Sequence, residues 1–325
     1  MGLLKLGNIS LDGTKIHADA SKSKAMSYQR LVEVESQLKT EVTELFAVAE
    51  QADQAVVPTG MVIDDEIALR QKRLGQLGQV KAVLEARAEL RYQAEQAEYE
   101  AKLRERTATE QHSGRKLGGR KPKPPVPGPR DKDQYNFTDP ESAIMKNSNN
   151  QSFDQHYNAQ TAVDQDSILI VGYSLSNHPN DQQEAVPTLA AIPTEQIGWP
   201  DAAALDNGYF SQANIEAFES QGVEPYIATG RQSHHQSWQA RFAQQPDPPP
   251  ADATPKEKMA YKLHTEIGQA IYRLRKSTVE PVIGIIKEVL GFRQFSLRGL
   301  VAAAGEWALV CIGFNLKRMQ TLYYR

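Results

Sequence analysis

Residues 25–112 carry apolar side chains at steps of three and four, a period that the sequence on either side does not share. Leu31, Val34, Leu38, Val42, Leu45 and Ala49 mark one face of an amphipathic helix. Ile67, Leu74, Leu77, Leu84 and Ala88 mark a second, which thins into charged sequence by Arg104. Pro58-Thr59-Gly60 separates the two. The block predicts a helical hairpin or coiled-coil-like arm set between a strand-like start and the rest of the chain. It suits an arm for contacts with DNA or a second copy, and equally an insertion packed only on itself.

The flanking zones differ in composition. Residues 1–24 read as the first strand: Asn8-Ile9-Ser10-Leu11 alternates, Asp12-Gly13 turns, and Thr14-Lys15-Ile16 resumes. In the linker 113–132, nine of the eighteen residues from Ser113 to Arg130 are Gly or Pro, which removes regular structure there. Arg115, Lys116, Arg120, Lys121 and Lys123 make it basic, fit either for solvent or for tracking phosphates. Residues 133–231 read as α/β. Strands are expected at His156 to Val163, Ile168 to Val171, Ala202 to Leu205 and Pro225 to Ala228. Helices are expected at Asp181 to Ala191 and, capped by Ser211, at Gln212 to Glu219. With the first strand this makes a mixed five-stranded sheet flanked by helices. Residues 232–256 form a Pro/Gln-rich loop. The C-terminal helices, 257–325, make a locally basic surface: from Lys256 onward there are 12 Lys and Arg against 5 acids.

Composition excludes several classes. The chain has 37 Lys and Arg against 40 Asp and Glu, so it is no polycation overall. One cysteine, Cys311, leaves no disulfide framework and no cysteine-based zinc site. The start, MGLLKLG, is shorter than a signal peptide. The most apolar run, Leu300 to Phe314, holds Glu306 and reads as too short and too polar for a bilayer. A cytoplasmic chain with no membrane partner is expected. Seven histidines, among them His234-His235, show no metal-ligand spacing, and no phosphate loop, nucleophile elbow or HExxH is present.

Acids at element ends remain. Asp12 and Asp206 each fit a turn, Asp-Gly in one case and Asp-Asn-Gly in the other. Both also fall at the carboxyl ends of expected strands, where active-site groups of open α/β sheets lie. Ser277-Thr278-Val279-Glu280 fits a capping box, imperfectly because Pro281 follows. At 100° per residue, Arg273, Lys276, Glu280, Gly284 and Lys287 share one face, and Val279, Val282, Ile286 and Leu290 another. Glu280 on that stripe suits a metal ligand beside a phosphate backbone, or an ordinary charged surface.

Three segments together resemble bacterial insertion-sequence transposases with a DDE triad: Ile9 to Lys15, Ala204 to Phe210, and Tyr272 to Lys287. Thr138-Asp139-Pro140-Glu141-Ser142 and Phe153 to Gln160 add to the likeness. The resemblance implies an RNase H-like fold, with Asp12, Asp206 and Glu280 as catalytic metal ligands for two Mg²⁺ ions, Mn²⁺ substituting. It places Tyr272, Arg275 and Lys287 in the family's Tyr–Arg–Glu–Lys signature. Arg275 lies one residue further from Glu280 than that signature has it. With Arg273 and Lys276, these residues would contact DNA. The implied activity is DNA cleavage and strand transfer, with double-stranded DNA and further copies of the chain as partners. The usual N-terminal DNA-binding region is expected to be missing, because Asp12 comes so early. That leaves a truncated remnant that only binds DNA or oligomerises as one alternative, and an RNase H-like nuclease as another.

Overall fold

The fold is taken from a computed structural model that describes residues 6–50, 60–113, 118–119, 121–147, 152–230, 248–250 and 253–324. The chain divides into two compact units: Met1–Lys22 with Thr138–Arg325, and Ser23–Phe137.

The first unit is built on strand β1, Ile9–His17. Ile9 and Leu11 enter one core cluster and Ile16 another, as alternation along a single strand demands. The expected turn at Asp12-Gly13 is therefore absent. The strand runs straight through, paired antiparallel with Phe153–Asp164 from Ile9↔Asp164 to His17↔His156. Gly13 is there for closeness of approach: a Cβ would lie 2.2 Å from Gln160 Nε2.

In the second unit, β2 (Ala25–Ser27) pairs antiparallel with β3 (Gln134–Asn136), so the helical period begins later than its first residue implied. Helix α1 spans Tyr28–Glu50 and α2 spans Ile63–Ser113, continuing past Arg104. Glu35 meets Lys81 at 2.9 Å and Glu41 meets Arg70 at 2.7 Å, so the helices run antiparallel. Leu31, Leu77, Val80 and Leu84 form the buried seam. Arg91 grips Asp133 with two 2.9 Å bonds and donates to Gly128 O, which ties the segment before β3 to α2. Pro58 and Thr59 of the expected break lie outside the described residues.

Among the described residues the sheet around β1 has six strands, one more than expected. β4 (Ala143–Lys146) and β6 (Ile170–Ser176) pair with successive stretches of β5 (Phe153–Asp164), both antiparallel. On its other edge β1 pairs parallel with β7 (Ala202–Leu205), and β7 with β8 (Glu224–Ile227). β4 was not anticipated because four residues at an edge carry too little pattern to stand out.

Helices cover both faces. Ile9, Leu11, Ala203 and Leu205 pack with Leu189 of α3 (Ala185–Ala190) and Phe218 of α5 (Gln212–Ser220). A short helix α4 (Thr194–Ile197) lies between those two in sequence. α3 is shorter than the expected Asp181 to Ala191. Ser211 caps α5 as expected, its hydroxyl accepting from Asn214 N. The far end of the chain supplies α6 (Pro255–His264), α7 (Glu266–Leu274), α8 (Val279–Gly284) and α9 (Leu300–Tyr323). Thr254 and Glu257 form a capping box at the start of α6. Most of the expected 232–256 loop, with His234 and His235, lies outside the described residues.

On the opposite face Val279, Val282 and Ile286 pack with Ala303, Trp307, Cys311 and Phe314. Helix α9 runs past the apolar stretch Leu300 to Phe314 and is, by length and composition alone, long and apolar enough to cross a membrane, as the core helix of a globular fold can also be. In this fold its inner face covers the sheet. Trp307 Nε1 donates to Gln160 O, and Asn315 exchanges bonds with both backbone groups of Ile170. The Thr138–Ser142 stretch holds the start of the same helix: Asp139 accepts from Gly299 N and Tyr157 Oη, and Glu141 from Leu300 N.

Candidate active site

Leu11 pairs with Leu205 at the last register position between the parallel strands β1 and β7. The next residue on each strand is an aspartate, Asp12 on one and Asp206 on the other. β1 continues past this point while β7 ends, so Asp206 begins a turn: its Oδ1 accepts from Asn207 N at 2.7 Å and caps the short 3-10 helix Asn207–Tyr209. The turn reading of Asp206 thus holds locally, and its other oxygen faces Arg275, 3.7 Å away.

Glu280 arrives from the opposite end of the chain on α8. The segment carrying it is no uniform helix: Arg275–Ser277 is 3-10, Val279–Gly284 is α, and Ile285–Val289 is π-helical. The expected capping box does not form. Thr278 Oγ1 instead donates to Ser10 Oγ and lies 2.7 Å from Leu274 O, while Gln165 Nε2 donates to Ser10 Oγ and to Ile271 O. These bonds staple the segment to β1 two residues before Asp12. Below them Val279, Val282 and Ile286 are fully buried, as their shared face implied.

The three acids meet through one side chain. Arg275 Nη2 donates to Asp12 Oδ2 and Nη1 to Glu280 Oε1, both at 2.9 Å, and Nη2 stands 3.7 Å from Asp206 Oδ2. The guanidinium is 8% exposed, whereas the Asp206 and Glu280 side chains are 54% and 46% exposed. It is therefore the anchored member and the two acids reach it from the solvent side. A helix at a constant 100° per residue puts Arg273 on the face of Glu280. The 3-10 turn instead turns Arg275 inward and leaves Arg273 and Lys276 exposed. Among the candidates for DNA contact, Arg275 alone bonds the acids. Tyr272 is half-buried beside them, and burial raises its hydroxyl pKa. Lys287 Nζ donates to Lys15 O at 3.1 Å, and burial lowers its pKa.

Burial dominates at Asp12 and pushes its carboxyl up to about 6, against the pull of Arg275 and of the Gly13 N–H; Asp206 and Asp181 push the same way as burial. Burial opposes charge on Arg275 too, but the acids around it outweigh that and hold it protonated. One guanidinium thus leaves the cluster short of positive charge. Among the described residues no three His, Cys, Asp or Glu side chains stand close enough to hold a metal ion unaided. The donors are nevertheless hard carboxylate oxygens, two of them around a single nitrogen, and that set fits a small divalent cation in chemistry and charge.

Sequence reading missed Asp181. Its Oδ1 accepts from Asn158 and Gln160, whose own Oε1 takes the Tyr209 hydroxyl proton. This buried polar group supports the Asn207–Tyr209 turn beside Asp206. Asp181 follows Asn180 at the start of an expected helix, which gave it a sufficient local explanation.

Residues 249–320 match a family model described as a transposase DDE domain. The matched stretch holds Tyr272, Arg275, Glu280 and Lys287, and it bears out the resemblance to DDE transposases. No curated protein matches the chain.

Proposed function

We propose that this chain, which carries the matched part of a transposase DDE domain, is a DNA transposase that cleaves phosphodiester bonds and transfers strands with Asp12, Asp206 and Glu280. The observation that carries the reading is the meeting of all three acids at Arg275, which lies 263 positions from Asp12 in sequence. Three carboxylates drawn together beside the carboxyl end of β7, with two half exposed, are costly to a fold that makes no use of them. The sheet supports an RNase H-like core: β6, β5 and β1 antiparallel on one side, β7 and β8 parallel on the other.

Asp12, Asp206 and Glu280 would hold two Mg²⁺ ions, or Mn²⁺. When bound, such ions make an attacking oxygen nucleophilic near neutral pH and neutralise the leaving one. The protein's own share is placement. Asp12 is fixed by the sheet, Asp206 by its bond to Asn207 N, and Glu280 by a helix stapled through Thr278 and Ser10. Exposed Arg273 and Lys276 would hold backbone phosphates, as would Tyr272 and the free donors of Lys287; such contacts position DNA without reading its sequence. Water attack on phosphorus breaks the bond to the 3′ oxygen and leaves a 3′-hydroxyl. That hydroxyl, giving up its proton, then attacks a target phosphodiester, forms the new bond to phosphorus and expels the target strand's 3′ oxygen as a hydroxyl, which joins the strands. Cutting two transposon ends in concert calls for two copies, so we assign a homo-oligomer on DNA in the bacterial cytoplasm.

Nicking of supercoiled plasmid by the purified chain tests this. Mg²⁺- or Mn²⁺-dependent nicking is expected, and Asp206→Asn should abolish it while DNA retention in a gel stays near the parent level. Full-rate nicking by that variant overturns the assignment. Strand-transfer products from a pre-cut 3′ end separate a transposase from a nuclease.

A further inference from the structure

Arg275 is buried where a cation is needed. Its two terminal nitrogens are engaged with acids, and its Nε is buried without a hydrogen-bond partner among the described residues. We infer that Arg275 is the resident counter-cation of the ion-free site: it holds Asp12, Asp206 and Glu280 together and competes with a divalent ion for their oxygens. This rests on the reading above and concerns how that site is loaded.

The competition follows from geometry. Asp12 Oδ2 and Glu280 Oε1 each accept an N–H bond of 2.9 Å from the guanidinium. A small divalent ion binds carboxylate oxygen at roughly 2.0–2.2 Å, inside the space those nitrogens take up. The ion therefore enters as one or both bonds lengthen. Charge favours the exchange, because three carboxylates against one guanidinium leave the cluster negative. Position allows it too. Arg275 opens a 3-10 turn between two helices, and the partners Asp206 and Glu280 are about half exposed. Once displaced, the planar fork of donors is suited to a phosphate, so the same side chain can turn from acids to DNA when the ion arrives. Arg275 is a positioning residue in this account, acting through the three carboxylates.

The test is Mn²⁺ titration of the full chain, followed by electron paramagnetic resonance of the free ion. Wild type, Arg275→Met and Arg275→Lys are compared, each also melted in EDTA and in excess Mn²⁺. With the competitor gone, Arg275→Met should bind Mn²⁺ at least about fivefold more tightly than wild type. It should melt lower than wild type in EDTA and recover in Mn²⁺. Arg275→Lys, with one point charge in place of a fork, should fall between them, and it decides the matter by the same titration if the Met variant does not fold. A purely structural arginine predicts the reverse, because loosened acids bind more weakly. Equal or weaker Mn²⁺ binding by the folded variants overturns the inference and leaves the proposed function standing. Absence of Mn²⁺ binding in wild type and variants alike overturns the metal reading itself.

Discussion

Thr278 donates its hydroxyl proton to Ser10 across 2.8 Å, joining the turn before Glu280 to the strand that carries Asp12. The two residues are 268 positions apart. Through this bond the two ends of the chain's first unit fix the separation of two acids that sequence alone leaves independent. Thr278→Val keeps the shape, removes the donor and strands the Ser10 hydroxyl in a buried setting. It should destabilise by about 1–2 kcal/mol in denaturant titration. Nicking should fall further than that loss of folded protein explains, because Glu280 loses its tether.

Asp12 governs the pH response. The folded chain keeps its proton up to about pH 6, while an ordinary aspartate carboxyl releases it near 3.8. The folded form therefore binds more protons between those values, and ion-free stability falls as pH rises through that window. Asp12→Asn should stabilise the ion-free chain at pH 8, by up to roughly 3 kcal/mol, and change it little at pH 4. In the parent, divalent affinity should drop roughly tenfold per pH unit below about 6, as protons compete for the carboxylate. Melting curves and Mn²⁺ titrations at several pH values check both.

Gly13 is a packing requirement. Gly13→Ala pushes a methyl group onto the Gln160 amide, which is committed to Asp181 and Asn158. A loss of about 1–3 kcal/mol is expected in thermal or denaturant unfolding. Adding Gln160→Ala should cost less than the two single changes together.

In the helical unit, the forked Arg91–Asp133 pair holds the segment before β3. Burial works to raise the Asp133 carboxyl pKa, but Arg91 and the Arg130 N–H outweigh it and the net shift is downward. The pair's contribution is present above pH 4 and is lost as pH falls below the ordinary carboxylate range. Arg91→Ala should cost about 1–3 kcal/mol at pH 7 and progressively less under strongly acid conditions, measured by helix signal on melting.

Local chemistry was legible where a short stretch determines its own structure. Ala202–Leu205 with its following Asp206, and α5 with its Ser211 cap, are readable because the apolar run and the cap lie within a few residues. Asp12-Gly13 misled because a tight turn and a close strand crossing call for the same glycine. Only the partner, Gln160, tells them apart, and it lies far along the chain. Arg275 was placed by family likeness, whereas the helical wheel favoured Arg273. The wheel failed because the Thr278 hydroxyl serves Ser10 and Leu274, and a 3-10 turn replaces regular helix there. The meeting of the acids is a tertiary fact, legible only once the register of β1 and β7 is known.

Side-by-side initial rates of Mg²⁺-dependent plasmid nicking for Asp12→Asn, Asp206→Asn, Glu280→Gln and the triple variant test the central claim most directly. Residues acting as one unit predict that each single change costs about 10²-fold or more, and that the triple variant is scarcely worse than the weakest single. A folded single variant that nicks at the parent rate contradicts the account.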